Sequence, residues 1–294
     1  MKVGIYGQFY HKNTEVYIRQ VLLVLKSRNA TICVEKNFLQ EINKNPELQK
    51  STEQVAFFDG LDSSFDLFIS IGGDGTILKS VTFVADLGIP IIGINTGRLG
   101  FLATIPKEKI TESIHQIFDG HYTVSKRSLL QLHTQPHKKE LNTLNFALNE
   151  VAINRKNTTS MIKVETHINN EYLTSYWSDG LIIGTPTGST GYSLSCGGPV
   201  IAPQTNSIVI TPIAPHNLNA RPFVIPDDSI ITLKVSGREK EYLVSLDSRI
   251  TTLENEAVIT VKKAPFAINL VQLPNTSFIK TLREKLLWGE DLRN

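Results

Sequence analysis

The sequence predicts two domains: an N-terminal α/β domain with a mainly parallel, doubly wound sheet, then a β-rich, sandwich-like C-terminal domain. At 294 residues the chain exceeds the usual size of one domain. Before residue 121, short apolar runs alternate with helical patterns, which is typical of a parallel sheet covered on both faces. After it the apolar runs are short, often alternating, rich in β-branched residues and separated by turn signals.

The α/β domain is predicted over residues 1–122. Its strands are expected in four apolar runs: KVGIYG (2–7), TICVEK (31–36), DLFISIG (66–72) and IPIIGIN (89–95). Helical spacing of apolar residues predicts helices over 13–28, 76–87 and 107–118.

The β-rich domain is predicted over residues 123–273, and its Asn169-Asn170 pair is typical of a hairpin turn. The tail, residues 274–294, returns to helical periodicity, with Phe278, Leu282, Leu286 and Leu287 on one side. Because a lone helix needs a surface on which to bury that side, we expect it to pack back on the N-terminal domain.

Composition narrows the classes of function. A net charge of +2 without blocks of like charge predicts neither a nucleic-acid nor a membrane partner. Cys33 and Cys196 are far apart and outside any metal-binding spacing, so we expect packing residues in a reducing compartment. The N-terminus lacks signal-peptide features, and no run approaches the roughly 18 apolar residues of a membrane span. We therefore expect a cytoplasmic protein.

The run GGDGT follows a predicted buried strand and opens a helix. At the carboxyl end of a parallel strand, glycines let backbone N–H groups approach a phosphate, and the helix N-terminus favours an anion. Gly72, Gly73 and Thr76 are thus candidate phosphate contacts, and Thr76 is also a candidate helix cap. Asp74 suits a proton acceptor or a metal-bridged site. The alternative is a tight turn in which Asp74 caps Ile77 or its neighbour.

A second motif, SDGLIIGTPTGSTGYSLSCGGP, spans residues 178–199. Its hydroxyl side chains and glycines suit close contact with a flat or charged ligand. Ser189 is not at the centre of a nucleophile elbow, which argues against a hydrolase. Asn149 and Glu150, taken alone, are more consistent with a strand end than with a binding site.

With GGDGT, NTGRLGFL, the Asn149-Glu150 pair, the second motif and RPFVIPDDS in this order, the chain closely resembles the bacterial NAD kinases of the ATP-NAD kinase family. The resemblance implies ATP-dependent phosphorylation of the adenosine ribose 2′-hydroxyl of NAD to give NADP. It also implies Mg²⁺ held with ATP rather than by fixed protein ligands, and a homodimer or homotetramer. It does not decide between ATP and polyphosphate, or between NAD and NADH.

The resemblance assigns roles residue by residue. Asp74 is the implied proton acceptor. The implied NAD contacts are Gly75, Lys79, Phe101, Asn149, Glu150, Asp179, Thr190, Gly191, Tyr192, Ser195 and Asp247. A further set of candidate NAD contacts is Ser160, Trp177, Thr187 and Arg249.

Four positions depart from the family pattern. Trp177 stands where many members carry arginine, Ser160 where histidine is frequent, and Arg249 where glutamine is common. Gly191 replaces the commoner alanine, and we expect the loss of one methyl group to have a mild effect. The changes at Trp177 and Ser160 put feedback inhibition by NADPH in doubt.

Two other classes of protein fit part of this pattern. Diacylglycerol and sphingosine kinases share the first motif, but the polar PTGSTGYSLS run does not suit an acyl pocket. A non-catalytic dinucleotide sensor predicts NAD binding without ATP consumption, yet Asp74 and its glycines are intact.

Overall fold

The computed structural model describes residues 1–8, 14–141, 143–157, 160–274 and 276–287. The chain divides into two compact units, the first formed by Met1–Lys126 with Ile268–Asn294 and the second by Arg127–Ala267. The limits predicted from the sequence, at residues 122 and 273, stay a prediction.

The first unit contains strands and helices in alternation. Its elements are β1 (Lys2–Gly7), α1 (Thr14–Ser27), β2 (Thr31–Glu35), α2 (Lys36–Asn43), α3 (Pro46–Gln49), β3 (Ala56–Phe58), β4 (Leu67–Gly72), α4 (Asp74–Val84), β5 (Ile91–Asn95), β6 (Ile105–Pro106) and α5 (Ile110–Phe118). Strand β7 (Thr123–Gln135) begins here and continues into the second unit.

The sheet of the first unit is parallel, with the strand order β3-β2-β1-β4-β5. On the far side of β5, Ile91 pairs in parallel with Leu270, near the end of β18 (Val258–Gln272). The chain reverses its winding between β1 and β4, and ligands of such sheets bind beyond the carboxyl ends of the strands at this point. The GGDGT run follows β4 directly, and the predicted fold class is confirmed.

Several details of the first unit differ from the predictions. β3 and the helices α2 and α3 were not predicted. The DLFISIG run therefore forms the fourth strand rather than the third. β3 has only three residues, too few to produce a clear pattern. α4 covers Asp74–Val84 rather than 76–87. The predicted helix start at Asn13 lies outside the described residues.

The second unit is β-rich. Its elements after β7 are β8 (Phe146–Ala147), β9 (Glu150–Arg155), β10 (Ile162–Ile168), β11 (Glu171–Ser178), β12 (Gly180–Gly184), α6 (Tyr192–Ser195), β13 (Ser207–Ile213), β14 (Phe223–Pro226), β15 (Ile231–Gly237), β16 (Glu241–Leu246), β17 (Arg249–Glu254) and β18.

Two antiparallel sheets enclose the core of the second unit. One has the order β14-β13-β12-β9-β16-β17, and the other contains β11-β10-β15 followed by the first residues of β18. Both contribute alternating apolar side chains to one buried cluster, which includes Ile153, Val164 and Tyr242. The sandwich prediction is confirmed, and the Asn169-Asn170 turn joins β10 to β11 with both residues at positive φ.

The last helix, α7 (Phe278–Leu286), belongs to the first unit, as predicted. Ser277 caps it by accepting a hydrogen bond from the Lys280 N–H at 3.1 Å. The Phe278 ring lies 6.1 Å from the Phe101 ring, and Leu282 is buried. Leu286 and Leu287 are exposed, so the prediction that the whole apolar side of this helix is buried is wrong for these two residues.

Cys33 is buried, Cys196 is partly buried, and both are free thiols. Within the described ranges, no helix combines the length and apolar character that crossing a membrane requires.

Candidate active site

The glycine loop after β4 contains glycines with different roles. Gly72 has φ +153°, and a Cβ there would lie 2.2 Å from the Thr76 hydroxyl, so only glycine fits. Gly73 and Gly75 have open space where a Cβ would be. That space leaves their backbone accessible to a ligand, as the phosphate prediction requires.

Thr76 does not cap α4. The N-cap is Gly73, which has no side chain to bond, and Thr76 lies inside the helix. It is buried, and its hydroxyl donates to Gln8 Oε1 at 3.2 Å, next to the end of β1. The cap prediction is wrong, while the phosphate contacts of Gly72, Gly73 and Thr76 stay predictions.

Asp74 opens α4, and its carboxylate accepts three backbone hydrogen bonds from a distant segment. Oδ2 accepts from the Phe101 N–H at 2.8 Å. Oδ1 accepts from Leu102 and Ala103 N–H at 3.0 and 2.9 Å. The tight-turn alternative is therefore wrong, because the carboxylate does not cap Ile77. A carboxylate offers about four lone-pair positions, so one position on Oδ2 remains for another donor.

Gly100 lies against this carboxylate, and we expect Gly100→Ala to lower kcat by roughly 10- to 100-fold. A Cβ there would lie 1.9 Å from Asp74 Oδ1, so the carboxylate must move although every functional group is retained. The measurement is steady-state kinetics of the phosphoryl transfer that the family resemblance implies. Gly60→Ala is the matched control, since a Cβ at Gly60 meets nothing within 4 Å. Equal kcat in the two variants would contradict the expectation.

Three other predicted contacts lie in the first unit. Gly75 and Lys79 are exposed on α4, and Lys79 Nζ lies 5.5 Å from the centre of the Tyr6 ring. The Phe101 ring contacts α7 through Phe278, and Lys285 Nζ lies 5.9 Å from its centre. Phe101 thus both donates its N–H to Asp74 and anchors the last helix.

In the second unit, Asp247 organises the Asn149-Glu150 pair. Its Oδ1 accepts from the Asn149 and Glu150 N–H groups at 2.8 and 3.2 Å, and its Oδ2 accepts from Leu148 N–H at 2.9 Å. Its own N–H donates to the Glu150 carbonyl at 2.9 Å. Burial raises the pKa of Asp247, while these N–H donors and the Arg249 charge act in the opposite direction.

Arg249 was predicted as a candidate NAD contact. Its guanidinium donates to the carbonyl oxygens of Leu144 and Phe146, and it lies 5.5 Å from the centre of the Phe146 ring. Two of its donors therefore hold the segment before Asn149.

Glu150 is buried beside Asp247, with only 8% of its surface exposed. Burial, followed by the negative charge of Asp247, raises the pKa of Glu150 to about 8, and the Tyr192 N–H opposes this shift. Glu150 Oε2 and Asn149 Oδ1 are buried without a hydrogen-bond partner among the described residues. Such orphaned acceptors are costly and are common where a ligand supplies the donor.

The raised pKa predicts a specific pH dependence of stability. Between about pH 4.5 and 8, Glu150 is protonated in the folded state but ionised in the unfolded chain. The contribution of Glu150 to the free energy of unfolding is therefore greatest below about pH 4.5 and falls as the pH rises toward 8. We expect Glu150→Gln to remove this loss, so its Tm gains on the wild type between pH 5 and 8. Thermal melts at several pH values test this, with exposed Glu239→Gln as control. Parallel profiles for wild type and Glu150→Gln would contradict it.

The hydroxyl-rich segment after β12 uses several of its hydroxyls internally. Thr185 Oγ1 donates to the Leu148 carbonyl at 2.6 Å, and Ser189 Oγ donates to Pro186 O at 2.7 Å. Ser193 Oγ lies 2.8 Å from Thr211 Oγ1. These three side chains are buried, so the expectation that the hydroxyls face a ligand is wrong for them. They hold the segment beside Asn149.

The other candidates of this segment differ in exposure. Tyr192 is 40% exposed, with its hydroxyl 3.5 Å from Asn154 Oδ1, and Ser195 is exposed. Thr187 is buried, and Thr190 Oγ1 donates to its carbonyl at 3.2 Å. A Cβ at Gly191 would lie 3.2 Å from Glu150 Oε2, so alanine requires a small adjustment there.

Asp179, Trp177 and Ser160 lie near the end of β9 and the start of β12, at the end of these strands opposite to Glu150. Asp179 Oδ2 forms an ion pair with Arg155 at 2.9 Å. Trp177 is 49% exposed and lines a cavity together with Ser160. Trp177 and Ser160 thus lie apart from Asn149, Glu150 and Asp247. Tyr192 links the two ends, because burial raises the pKa of its hydroxyl and the charges of both Asp179 and Glu150 raise it further.

Sequence reasoning missed four residues that position these groups. Gly100 is needed for the close approach to Asp74, and a Cβ at Gly188 would lie 2.0 Å from the Asn149 carbonyl. Thr185 bonds the Leu148 carbonyl, and Arg155 pairs with Asp179. Of these four, only Arg155 could have been identified in advance, because pairing the predicted strand before it with the strand after Asp179 places the two residues side by side.

No group of three or more His, Cys, Asp or Glu side chains in the described part of the chain is arranged to hold a metal ion. No step of the phosphoryl transfer is assigned to a metal.

Comparison with known proteins shows that both units match domains of the same family. Residues 3–122 match the ATP-NAD kinase N-terminal domain and residues 148–273 the ATP-NAD kinase C-terminal domain. The chain is 58% identical to the NAD kinase of Christiangramia forsetii and 54% identical to that of Flavobacterium johnsoniae, covering 100% of each chain.

Solved structures agree on the fold. Yeast NADH kinase in complex with NADH superposes with a TM-score of 0.85 at 24% identity, over 100% of this chain and 89% of that one. An Archaeoglobus fulgidus NAD kinase in complex with ATP gives 0.75 at 24% identity, over 98% and 99%. Identities this low support the fold alone.

The fold, the two motifs and these relatives define a phosphotransferase with an alcohol group as acceptor. The chain belongs to the ATP-NAD kinase family. Neither the lipid kinase nor the non-catalytic sensor is supported by these relatives.

Proposed function

We propose that this protein transfers the γ-phosphoryl group of ATP to the adenosine ribose 2′-hydroxyl of NAD, giving NADP and ADP. The observation that carries the proposal is the Asp74 carboxylate, oriented by three backbone N–H groups at the start of α4 in a chain of the ATP-NAD kinase family. Its one remaining lone-pair position suits a single hydroxyl donor.

In the proposed reaction, a bond forms between the 2′-oxygen and the γ-phosphorus while the bond to the ADP oxygen breaks. A ribose hydroxyl is a far weaker acid than a carboxylic acid, so the proton moves to Asp74 Oδ2 as the new bond forms rather than beforehand. Gly72, Gly73 and Thr76 are the proposed ATP-phosphate contacts. Positioning and charge stabilisation supply most of the rate in phosphoryl transfer.

For NAD, we propose Asn149 and Glu150 as the central contacts, held by Asp247. Below pH 8 the protonated Glu150 can both donate and accept a hydrogen bond. The other proposed contacts are Gly75, Lys79, Phe101, Asp179, Thr190, Gly191, Tyr192 and Ser195.

The decisive experiment is an ATP-coupled assay of NADP formation with NAD, NADH and diacylglycerol as separate acceptors. We expect product from NAD or NADH and none from diacylglycerol. Absence of product from both dinucleotides would overturn the proposal, and binding of NAD without turnover would favour the sensor.

Tyr192→Ala is expected to raise KM for NAD roughly tenfold, since an aromatic side chain stacked on a base contributes about 1–3 kcal/mol. We expect kcat to change little, because Tyr192 has no proposed part in the proton transfer. Tyr172→Ala is the matched control, since Tyr172 is an exposed tyrosine of the same unit. An unchanged KM in Tyr192→Ala would mean that the adenine side of the site is misplaced.

We further propose that Mg²⁺ enters bound to ATP, that the protein acts in the cytoplasm, and that it forms a homodimer or homotetramer. Family resemblance supports the metal and the oligomer, and the cytoplasmic location is the expectation drawn from the sequence. Size-exclusion chromatography with light scattering tests the oligomer.

A further inference from the structure

Asn95 ends β5 beside the glycine loop, and its side chain is buried. In the sheet it is paired with Gly72, two residues before Asp74. Only 2% of its surface is exposed. A buried amide needs hydrogen-bond partners, because a buried polar group without one costs free energy. The partners of Asn95 therefore show which segment of the chain it holds.

The Asn95 amide bonds both ends of the loop that runs from β5 to β6. Its Oδ1 accepts from the Gly97 N–H at 2.7 Å, and its Nδ2 donates to the Arg98 carbonyl at 2.7 Å. Nδ2 also donates to the Ala103 carbonyl, at a longer 3.4 Å. One side chain thus joins residues 97 and 98 to residue 103.

The loop closed in this way is the one that orients Asp74. Phe101, Leu102 and Ala103 donate the three N–H groups that the carboxylate accepts. Ala103 takes part in both sets of bonds, since its N–H donates to Asp74 and its carbonyl accepts from Asn95. The three hydrogen bonds of Asn95 all go to the loop, so its connection to Asp74 is indirect.

Packing holds Ala103 against β5, and the two hydrogen bonds fix its orientation. A Cβ at Gly93 would lie 2.7 Å from the Ala103 Cα, so the loop lies directly on the strand, and Ala103 is fully buried. Because its N–H and its carbonyl are both bonded, Ala103 cannot rotate without breaking one of these bonds.

We propose that Asn95 is a positioning residue for the phosphoryl transfer, holding the loop so that residues 101–103 keep Asp74 oriented toward the substrate hydroxyl. This role rests on the proposed kinase reaction, and Asn95 is not among the residues assigned to NAD or ATP. We expect Asn95→Ala to lower kcat about tenfold, because small displacements of a reacting group are costly. KM for NAD should change little, since the proposed NAD contacts keep their side chains.

Glu35→Ala is the matched control for a purely structural effect. Glu35 ends β2 in the same sheet, is 6% exposed, and accepts hydrogen bonds from the N–H groups of Asn37 and Phe38. We expect both variants to have a lower Tm than the wild type, but only Asn95→Ala to lose kcat, measured well below either Tm. If the two variants have the same kcat, Asn95 has no positioning role. Asn95→Ser takes the place of Asn95→Ala in this comparison if the alanine variant does not fold.

A double variant tests whether Asn95 acts through Asp74. If the loop matters only by orienting the proton acceptor, Asn95→Ala should have no further effect once Asp74→Asn has removed that acceptor. We expect the kcat of the double variant to lie within about twofold of that of Asp74→Asn. A further fall of about tenfold, as in the wild-type background, would overturn the proposal.

Amide hydrogen exchange provides a readout that does not depend on activity. We expect the N–H groups of residues 101–103 to exchange about tenfold faster in Asn95→Ala than in the wild type, and Glu35→Ala to leave them unchanged. Unchanged exchange at all three N–H groups in Asn95→Ala would overturn the positioning role. A wild-type protein that forms no NADP would instead overturn the proposed function, so the two failures can be told apart.

Discussion

Asp74→Asn is expected to lower kcat by about 10²–10⁴-fold, with a smaller effect on NAD binding. An amide cannot accept the proton of the 2′-hydroxyl. Its NH₂ group would also face either the Phe101 N–H or the Leu102 and Ala103 N–H groups, which now donate to the carboxylate. Steady-state kinetics and NAD titration separate the two effects.

The structural part of this effect needs its own control. Losing charge-assisted bonds to backbone N–H groups destabilises the protein by about 1–3 kcal/mol, which denaturant unfolding measures. Gly100→Ala displaces the same carboxylate but keeps its basicity, so its kcat should fall less than that of Asp74→Asn. Near-normal turnover in Asp74→Asn would remove the catalytic role of Asp74.

Asp247→Ala is expected to lower the free energy of unfolding by about 3–5 kcal/mol and to raise KM for NAD. The change leaves the N–H groups of Leu148, Asn149 and Glu150 without their acceptor and removes the carboxylate that interacts with the Arg249 charge. Alanine also disfavours the left-handed backbone at this position, where φ is +52°. Chemical denaturation and NAD kinetics measure the two effects.

Asp247→Asn separates the charge from the backbone. Asparagine tolerates positive φ and keeps one carbonyl acceptor, so its loss of stability should be clearly smaller than that of Asp247→Ala. If the free energy of unfolding of Asp247→Ala lies within about 1 kcal/mol of the wild-type value, the three N–H contacts do not stabilise the Asn149-Glu150 segment.

Local patterns were sufficient for most of the fold. Continuous apolar runs identified β1, β2, β4 and β5, and the change of pattern near residue 121 identified the β-sandwich. The three-residue strand β3 and the short helices α2 and α3 were missed, because elements of this length carry too little periodicity. Helix α4 was predicted to begin late, because Asp-Gly-Thr has low intrinsic helix propensity.

The candidate site was predicted as residue types but not as an arrangement. Asp74 and Asp247 were both identified, yet each carboxylate binds three backbone N–H groups that lie 27 to 29 and 97 to 99 residues away in the chain. No local pattern encodes such pairings. The same holds for Gly100 and Gly188, whose need for glycine arises from side-chain or backbone atoms brought close by the fold.

By itself, the sequence determined the two domain classes, the glycine loop, the family resemblance and the candidate residues, because these depend on local periodicity and on motif order. Only the tertiary structure decided that Asp74 is oriented by residues 101–103, that Glu150 is buried with a pKa of about 8, and that Asn95 bonds both ends of the loop before β6. These properties depend on burial and on contacts between distant segments, which arise only when the chain is folded.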